Sequence, residues 1–155
     1  MEVRAAAARD LDRLAALASA LFDHHASAGA RFALALGHED ELPVLLAGLA
    51  RDPEHALLVA EAPDGNLHGF VLASVVRRTG PFAESERGEI DWLFVREGVR
   101  RRGAGRKLAA AALVWLRERG AGRVQVHVDR DNRVGRAFWD AQGFAPAMDV
   151  LERHL

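Results

Sequence analysis

Arg100-Arg101-Arg102-Gly103-Ala104-Gly105-Arg106-Lys107 constrains the fold of this chain more than any other segment. Upstream, Glu89–Val95 alternates apolar and polar residues as a strand does. Downstream, from about Ala104 to Arg119, Leu108, Ala112 and Trp115 recur at helical spacing, and Gly120 supplies a stop. A strand that enters a helix through glycines gathers unpaired N–H groups and the positive end of the helix dipole at one turn, where phosphates can approach the backbone. Arg100, Arg101, Arg102, Arg106 and Lys107 add charge there. The segment predicts an anion site; taken by itself, it fits a solvated basic loop equally well. Two other phosphate motifs fit worse. Gly105-Arg106-Lys107-Leu108 lacks the glycine spacing and the magnesium-binding hydroxyl of a P-loop, and Leu108 stands where a dinucleotide fingerprint needs its third glycine.

The length of 155 residues suits one domain, residues 1–155. With no Cys, disulfides, thiolate zinc sites and cysteine nucleophiles are excluded, and the expected compartment is the cytoplasm. No apolar run approaches the roughly 20 residues of a membrane span, so no membrane partner is expected. Lys and Arg number 21 against 22 Asp and Glu, so nothing draws the whole chain to nucleic acid. A nucleic-acid role would rest on the basic turn alone.

Leu11, Leu14, Leu17, Ala18 and Leu21 predict a helix over about residues 9–23, and Pro43 opens a second, short one. His55–Ala62 and His68–Arg77 flank Pro63-Asp64-Gly65-Asn66 and read as a β-hairpin. Residues 78–88 read as a mobile connection. In the Glu89–Val95 strand, alternation puts Ile90, Trp92 and Phe94 on one face and Glu89, Asp91, Leu93 and Val95 on the other. Val124, Val126 and Val128 alternate with Gln125 and His127 in a further strand; Asn132–Ala141 follows as a helix stopped by Gly143, and Met148–His154 reads as a closing strand. The sum is a mixed α/β domain.

Arg100-x-x-Gly103-x-Gly105, just after the Glu89–Val95 strand, resembles the acetyl-CoA pyrophosphate motif of the GNAT superfamily of N-acetyltransferases. Asn132-x-x-Gly135-x-x-Phe138-Trp139, closed by Gly143-Phe144, is similar to that superfamily's downstream motif, and the order of elements agrees over nearly the whole chain. The resemblance implies the GNAT fold, a central, mostly antiparallel sheet flanked by about four helices. It also implies direct transfer of an acetyl group from acetyl-CoA to a primary amine of a small molecule or a protein, without a metal, and it allows a homodimer. After Arg100, backbone amides of Arg101, Arg102, Gly103, Ala104, Gly105 and Arg106 would cradle the pyrophosphate. Leu93, Phe94 and Val95 would pair their backbone with the pantetheine arm, an N–H near Leu93 facing the thioester oxygen. Asn132, Phe138 and Trp139 would border the coenzyme.

Acetyl transfer needs a neutral amine, whereas an alkyl ammonium titrates near 10.4, so a base has to take a proton. The resemblance puts Glu89 where several members carry a glutamate base, and Asp91, about 6–7 Å along the strand, can share the role through water. Each also reads as a solvated or ion-paired acid. Trp139 stands where many members place a Tyr that protonates the leaving thiolate, and the chain has no Tyr at all. His127, Ser74 or water is left for that task, although His127 also reads as a packed or surface histidine. The missing Tyr keeps open a non-catalytic acyl-CoA-binding module of the same fold. Asp23-His24-His25 suggests a metal, but helical neighbours diverge by about 100° and no further ligand is suitably spaced. Asp23, Glu39, Asp40, Glu41, Glu84 and Glu86 point to a cationic acceptor, while the Arg-rich stretches at 77–78 and 96–102 would also permit an amino acid bearing a carboxylate.

Overall fold

The computed structural model describes residues 1–28, 39–77, 80–81, 86–153 and 155. β1 (Glu2–Ala5), β2 (His55–Glu61), β3 (Leu67–Arg77), β4 (Glu86–Val95) and β5 (Val124–Val126) form one sheet in sequence order. The first four pair antiparallel, and β5 lies parallel to β4. The helices among the described residues are α1 (Leu11–Ala28), α2 (Leu42–Arg51), α3 (Ala104–Glu118) and α4 (Arg133–Ala141).

Local chemistry sets several of these boundaries. Asp64 Oδ1 accepts from the Asn66 backbone N–H at 3.0 Å and closes the β2–β3 turn, where Gly65 takes φ 80°. Pro43 sits in the first turn of α2, which has no need of its missing N–H. Asn132 caps α4 by accepting from Gly135 N–H at 2.8 Å.

The sheet is covered on both faces because its strands alternate. Leu57, Val59, Phe70, Leu72 and Phe94 pack against Leu14, Leu17 and Leu21 of α1 and Leu42 and Leu46 of α2. On the other face, Ala60, Val71, Ala73 and Ile90 lie under Leu108, Ala112 and Leu116 of α3. Each fully buried leucine contributes about 1.5–3 kcal/mol, so these two layers supply most of the stabilisation.

An ionic knot ties the start of α1 to the edge of the sheet. Asp10 is fully buried and accepts from Arg4 at 2.6 and 3.1 Å, from Arg13 at 2.7 Å and from Ala7 N–H at 2.8 Å. The hydrogen bonds from Arg4 are the main reason its carboxyl is held down to about 2 from an ordinary 3.8. A depressed carboxyl stabilises the fold above its unfolded value, and the benefit is lost as pH falls through the folded one. Thermal melts should therefore show about 2 kcal/mol of stability disappearing between pH 4 and pH 2. Asp10→Ala should remove that acid limb and cost about 3–5 kcal/mol at neutral pH, because Arg4 and Arg13 lose their shared anion; a melt unchanged by this substitution would contradict the assignment.

The structure differs from the sequence reading in five places. α1 runs on to Ala28. β4 begins at Glu86, so residues 86–88 belong to the strand: Arg77 donates to Glu86 across the pair, and Gly88 lies where a Cβ would come within 2.8 Å of Leu116. Of the expected connection, residues 78–79 and 82–85, with Glu84, lie outside the described residues. β5 stops at Val126, and residues 148–153 form no strand, their Met148, Val150 and Leu151 lying exposed with no sheet to cover.

The fifth difference is the face of β4. Leu72 is opposite Trp92 while Ala73 is opposite Ile90, so Asp91 is an extra residue in a β-bulge. Ile90 therefore shares the α3 layer with Leu93 and Val95, whereas Trp92 and Phe94 face α1, where Trp92 meets Phe22 edge-on at 5.2 Å.

Candidate active site

β5 pairs with β4 only at Gly88↔Val124, Glu89↔Gln125 and Ile90↔Val126. β4 continues to Val95, and the bulge at Asp91 twists it as β5 ends. Among the described residues, no strand pairs with the backbone of Leu93, Phe94 and Val95 on the β5 side, so β4 and β5 part there as the two sides of an open cleft.

At one end of this cleft stands the basic turn. Arg101 (φ 62°) and Gly103 (φ 85°) are left-handed, and the reversal aims the start of α3 back at the cleft. The first helical bond of α3 runs from Lys107 N–H to Gly103 O at 3.0 Å, so the N–H groups of Ala104, Gly105 and Arg106 have no partner within the helix. Arg101, Arg102 and Arg106 are exposed beside them. Arg100, also exposed, donates from Nε to Val95 O at 3.0 Å, its guanidinium lying 5.8 Å from the centre of the Phe94 ring.

The second block meets the first at this turn. A Cβ on Gly105 would come within 3.2 Å of Phe138 and 3.6 Å of Val95, so the glycine is what lets α4 close against the turn. Trp139 spends its ring on packing, edge-on to Phe138 at 4.9 Å and to Phe144 at 5.1 Å, in the layer under α3. Asn132 has given its Oδ1 to the α4 cap, which leaves only its Nδ2 donors for a ligand.

At the other end lie the acids. His55, Ser74 and Glu89 are successive cross-strand partners on β2, β3 and β4, and the bulge brings Asp91 onto the same side as this row. Glu89 Oε1 accepts from Arg87 Nη2 at 2.5 Å and from Nε at 3.1 Å. Desolvation pushes the Asp91 carboxyl up, and the Glu89 charge adds to this; Ser74 and His55 pull the other way. Asp91 is nevertheless exposed at the open side of the site. His55 Nδ1 lies 3.0 Å from Asp52 Oδ2 but outside hydrogen-bond geometry. The sequence reading anticipated that Glu89 and Asp91 point the same way. It missed Arg87, whose signal is its position two residues before Glu89, and it missed His55, which enters the site only through strand register. His127 is exposed one residue past β5, and no hydrogen bond or ion pair among the described residues joins it to Glu89 or Asp91.

The chain has counterparts among known proteins. A sequence model of the Acetyltransferase (GNAT) family matches residues 11–144, which include the cleft, the basic turn and α4. The chain belongs to the GNAT acetyltransferase family. Among its GNAT relatives is the aminoglycoside N(6')-acetyltransferase type 1 of Klebsiella aerogenes, 32% identical over 117 residues, which are 73% of this chain and 74% of that protein. The mycothiol acetyltransferase of Beutenbergia cavernae is 38% identical over 95 residues, 61% of this chain; the match covers 30% of that longer protein. The GNAT fold is shared with the solved structure of AAC(6')-Iy in complex with a bisubstrate analog, CoA-S-monomethyl-acetylneamine, at a TM-score of 0.80 and 20% identity over 99% of this chain and 97% of that one. Among the described residues of this GNAT chain, no helix is long and apolar enough to cross a membrane.

Proposed function

We propose that this GNAT acetyltransferase transfers the acetyl group of acetyl-CoA to a primary amine of a small cationic molecule, by direct attack with both substrates bound. The observation that carries this reading is one cleft with an anion cradle at one end, carboxylates at the other and an unpaired strand edge between them. N–H groups from Arg101 to Arg106 hold the pyrophosphate, and Arg100 keeps the end of β4 against the turn. The Leu93–Val95 backbone aligns the pantetheine arm as an added strand, with an N–H near Leu93 donating to the thioester oxygen. Phe138 walls the coenzyme at the turn, and the Asn132 Nδ2 donors and Trp139 border it.

Asp91 takes the proton of the incoming ammonium. Its raised carboxyl is a better base than an ordinary one, and it stands at the open side where an acceptor enters. Glu89, clamped by Arg87, supplies fixed negative charge beside it. A thiol with an ordinary value near 8.5 leaves tolerably as its anion, so water can protonate it without a Tyr. The name of the Klebsiella aerogenes relative supports a polyamine-like acceptor. His127, exposed and outside the acid row, is left with no step.

Calorimetric titration of acetyl-CoA, followed by an amine panel read by thiol release, tests the reading. Binding with acetylation of cationic amines is expected. Binding without transfer to any amine would favour a non-catalytic acyl-CoA-binding module, and no binding would remove the acetyltransferase reading.

A further inference from the structure

We propose that the tie between Arg100 and β4 is a latch that the coenzyme opens: the guanidinium leaves the Val95 carbonyl for the pyrophosphate, and the carbonyl then accepts from the pantetheine arm. This inference rests on the coenzyme binding proposed above and gives it a positioning residue that couples its two ends. The β3–β4 register fixes which backbone groups serve the cleft. Arg96 N–H donates to His68 O at 2.9 Å, so residues 68 and 96 form a hydrogen-bonded pair. Such pairs alternate with open ones along an antiparallel ladder. Phe94 is therefore bonded to Phe70 of β3, and a Cβ on the neighbouring Gly69 would collide with Phe94 O. Leu93 and Val95, opposite Val71 and Gly69, turn their N–H and C=O groups to the β5 side instead. Of these cleft-facing groups, Val95 O accepts from Arg100 Nε at 3.0 Å.

A strand added to β4 needs that oxygen. It lies about 4.7–4.9 Å from its neighbour and brings its own N–H to about 2.9 Å from the edge carbonyl, the distance at which the Arg100 donor stands. The same side chain is free to answer an anion. Arg100 N–H donates to Glu97 O at 3.1 Å, which pins the main chain just before the left-handed Arg101, so the response falls to the side chain. That side chain is exposed, and a cavity of about 350 Å³ between α1 and the end of β4, lined by Ala20, His24, Phe94 and Arg96 beside Arg100, gives it room to turn. Its contact with the Phe94 ring, at 5.8 Å, is near the limit for a cation over an aromatic face. A guanidinium gains more from an anion, which it can grip with two parallel bonds, than from one neutral carbonyl. Arg101, Arg102 and Arg106 make no side-chain hydrogen bond or ion pair among the described residues, so they lend charge to the turn without a link to β4. Arg100 joins the cradle to the strand edge.

An order of events follows. A fragment that carries the arm without phosphates has to displace the guanidinium unaided, whereas the whole coenzyme brings the anion that draws it off. Phosphates at one end of the cleft therefore raise the affinity for the arm at the other, and the thioester reaches the Leu93 N–H only after the cradle is filled.

The test uses the full chain, with S-acetylpantetheine for the arm and inorganic pyrophosphate for the cradle, titrated by NMR at matched ionic strength. In wild type, saturating pyrophosphate should raise the affinity for S-acetylpantetheine by at least about 5-fold, the lower end of usual couplings between two sites. Arg100→Ala should bind S-acetylpantetheine without pyrophosphate at least as tightly as wild type does, should gain nothing from pyrophosphate, and should bind acetyl-CoA more weakly than wild type. A merely structural role would instead weaken S-acetylpantetheine and acetyl-CoA by the same factor, and that result overturns the latch. So does the absence of coupling in wild type, or coupling that persists in Arg100→Ala. The Arg100 Nε–H resonance gives a readout that needs no variant: pyrophosphate alone should move it, and an unmoved resonance rejects the latch. Failure of the underlying reading looks different. A folded chain that binds neither acetyl-CoA nor S-acetylpantetheine rejects the acetyltransferase reading and the latch together, whereas loss of the coupling with acetyl-CoA still bound rejects the latch alone.

Discussion

Asp91→Asn is expected to lower kcat by about 10²–10⁴-fold, the contribution of a well-placed general base, while the KM for acetyl-CoA stays the same. Asparagine keeps the shape and the bulge but cannot take a proton. The pH profile carries the sharper signature. Because desolvation raises the Asp91 carboxyl, the wild-type rate should climb with pH along a limb above the ordinary carboxylate range, and that limb should vanish in the variant. Stability should move the opposite way to activity. A carboxyl raised in the fold contributes stability that is present below its unfolded value and lost as pH rises through the folded one. At neutral pH the ionised Asp91 therefore opposes folding slightly, and Asp91→Asn should melt at the same temperature or higher. A variant that turns over at the wild-type rate, or that loses activity only because it unfolds, would end the assignment of Asp91 as base. Glu89→Gln should be milder, since Arg87 already occupies that carboxylate.

Gly103→Glu should weaken acetyl-CoA binding by at least about 10²-fold. In the proposed cradle, pyrophosphate would be held by charge-assisted hydrogen bonds of about 1.5–3 kcal/mol each, and the loss of two already reaches that figure. Nothing lies within 4 Å of a Cβ built at Gly103, so a side chain can leave the backbone there without a clash, and a glutamate brings a negative charge to the turn. Its φ of 85° adds backbone strain for any side chain. Gly103→Asn separates the two effects, because asparagine tolerates the left-handed region and brings no charge. Calorimetry should find the Asn variant close to wild type and the Glu variant without measurable heat; equal loss in both would mean that backbone geometry, not charge, decides binding at the turn.

The elements were legible where the chain carries strong local chemistry. The Asp64-Gly65 turn, Pro43, the basic turn with Gly103 and the Asn132 cap each have a local cause, and each stands in the structure where those residues predict it. Boundaries went astray where long-range pairing overrides a local signal. Gly88 reads as a breaker but is a strand residue under Leu116, and Met148–His154 carries strand residues but meets no partner over 148–153.

The candidate site divides in the same way. Both proposed coenzyme motifs and the absence of Tyr are written in consecutive residues, because a turn and a helix start depend on side chains a few positions apart. What places His55, Ser74, Glu89 and Asp91 in one row is the register of three strands and a single inserted residue between Ile90 and Trp92. Strict alternation would have set Asp91 among Leu93 and Val95 under α3; the bulge sets it beside Ser74 on the open face instead. A strand's own residues specify which side chains alternate, but the pairing with its neighbours determines where that alternation slips, because an extra residue is tolerated only where two strands that bond on one side diverge on the other.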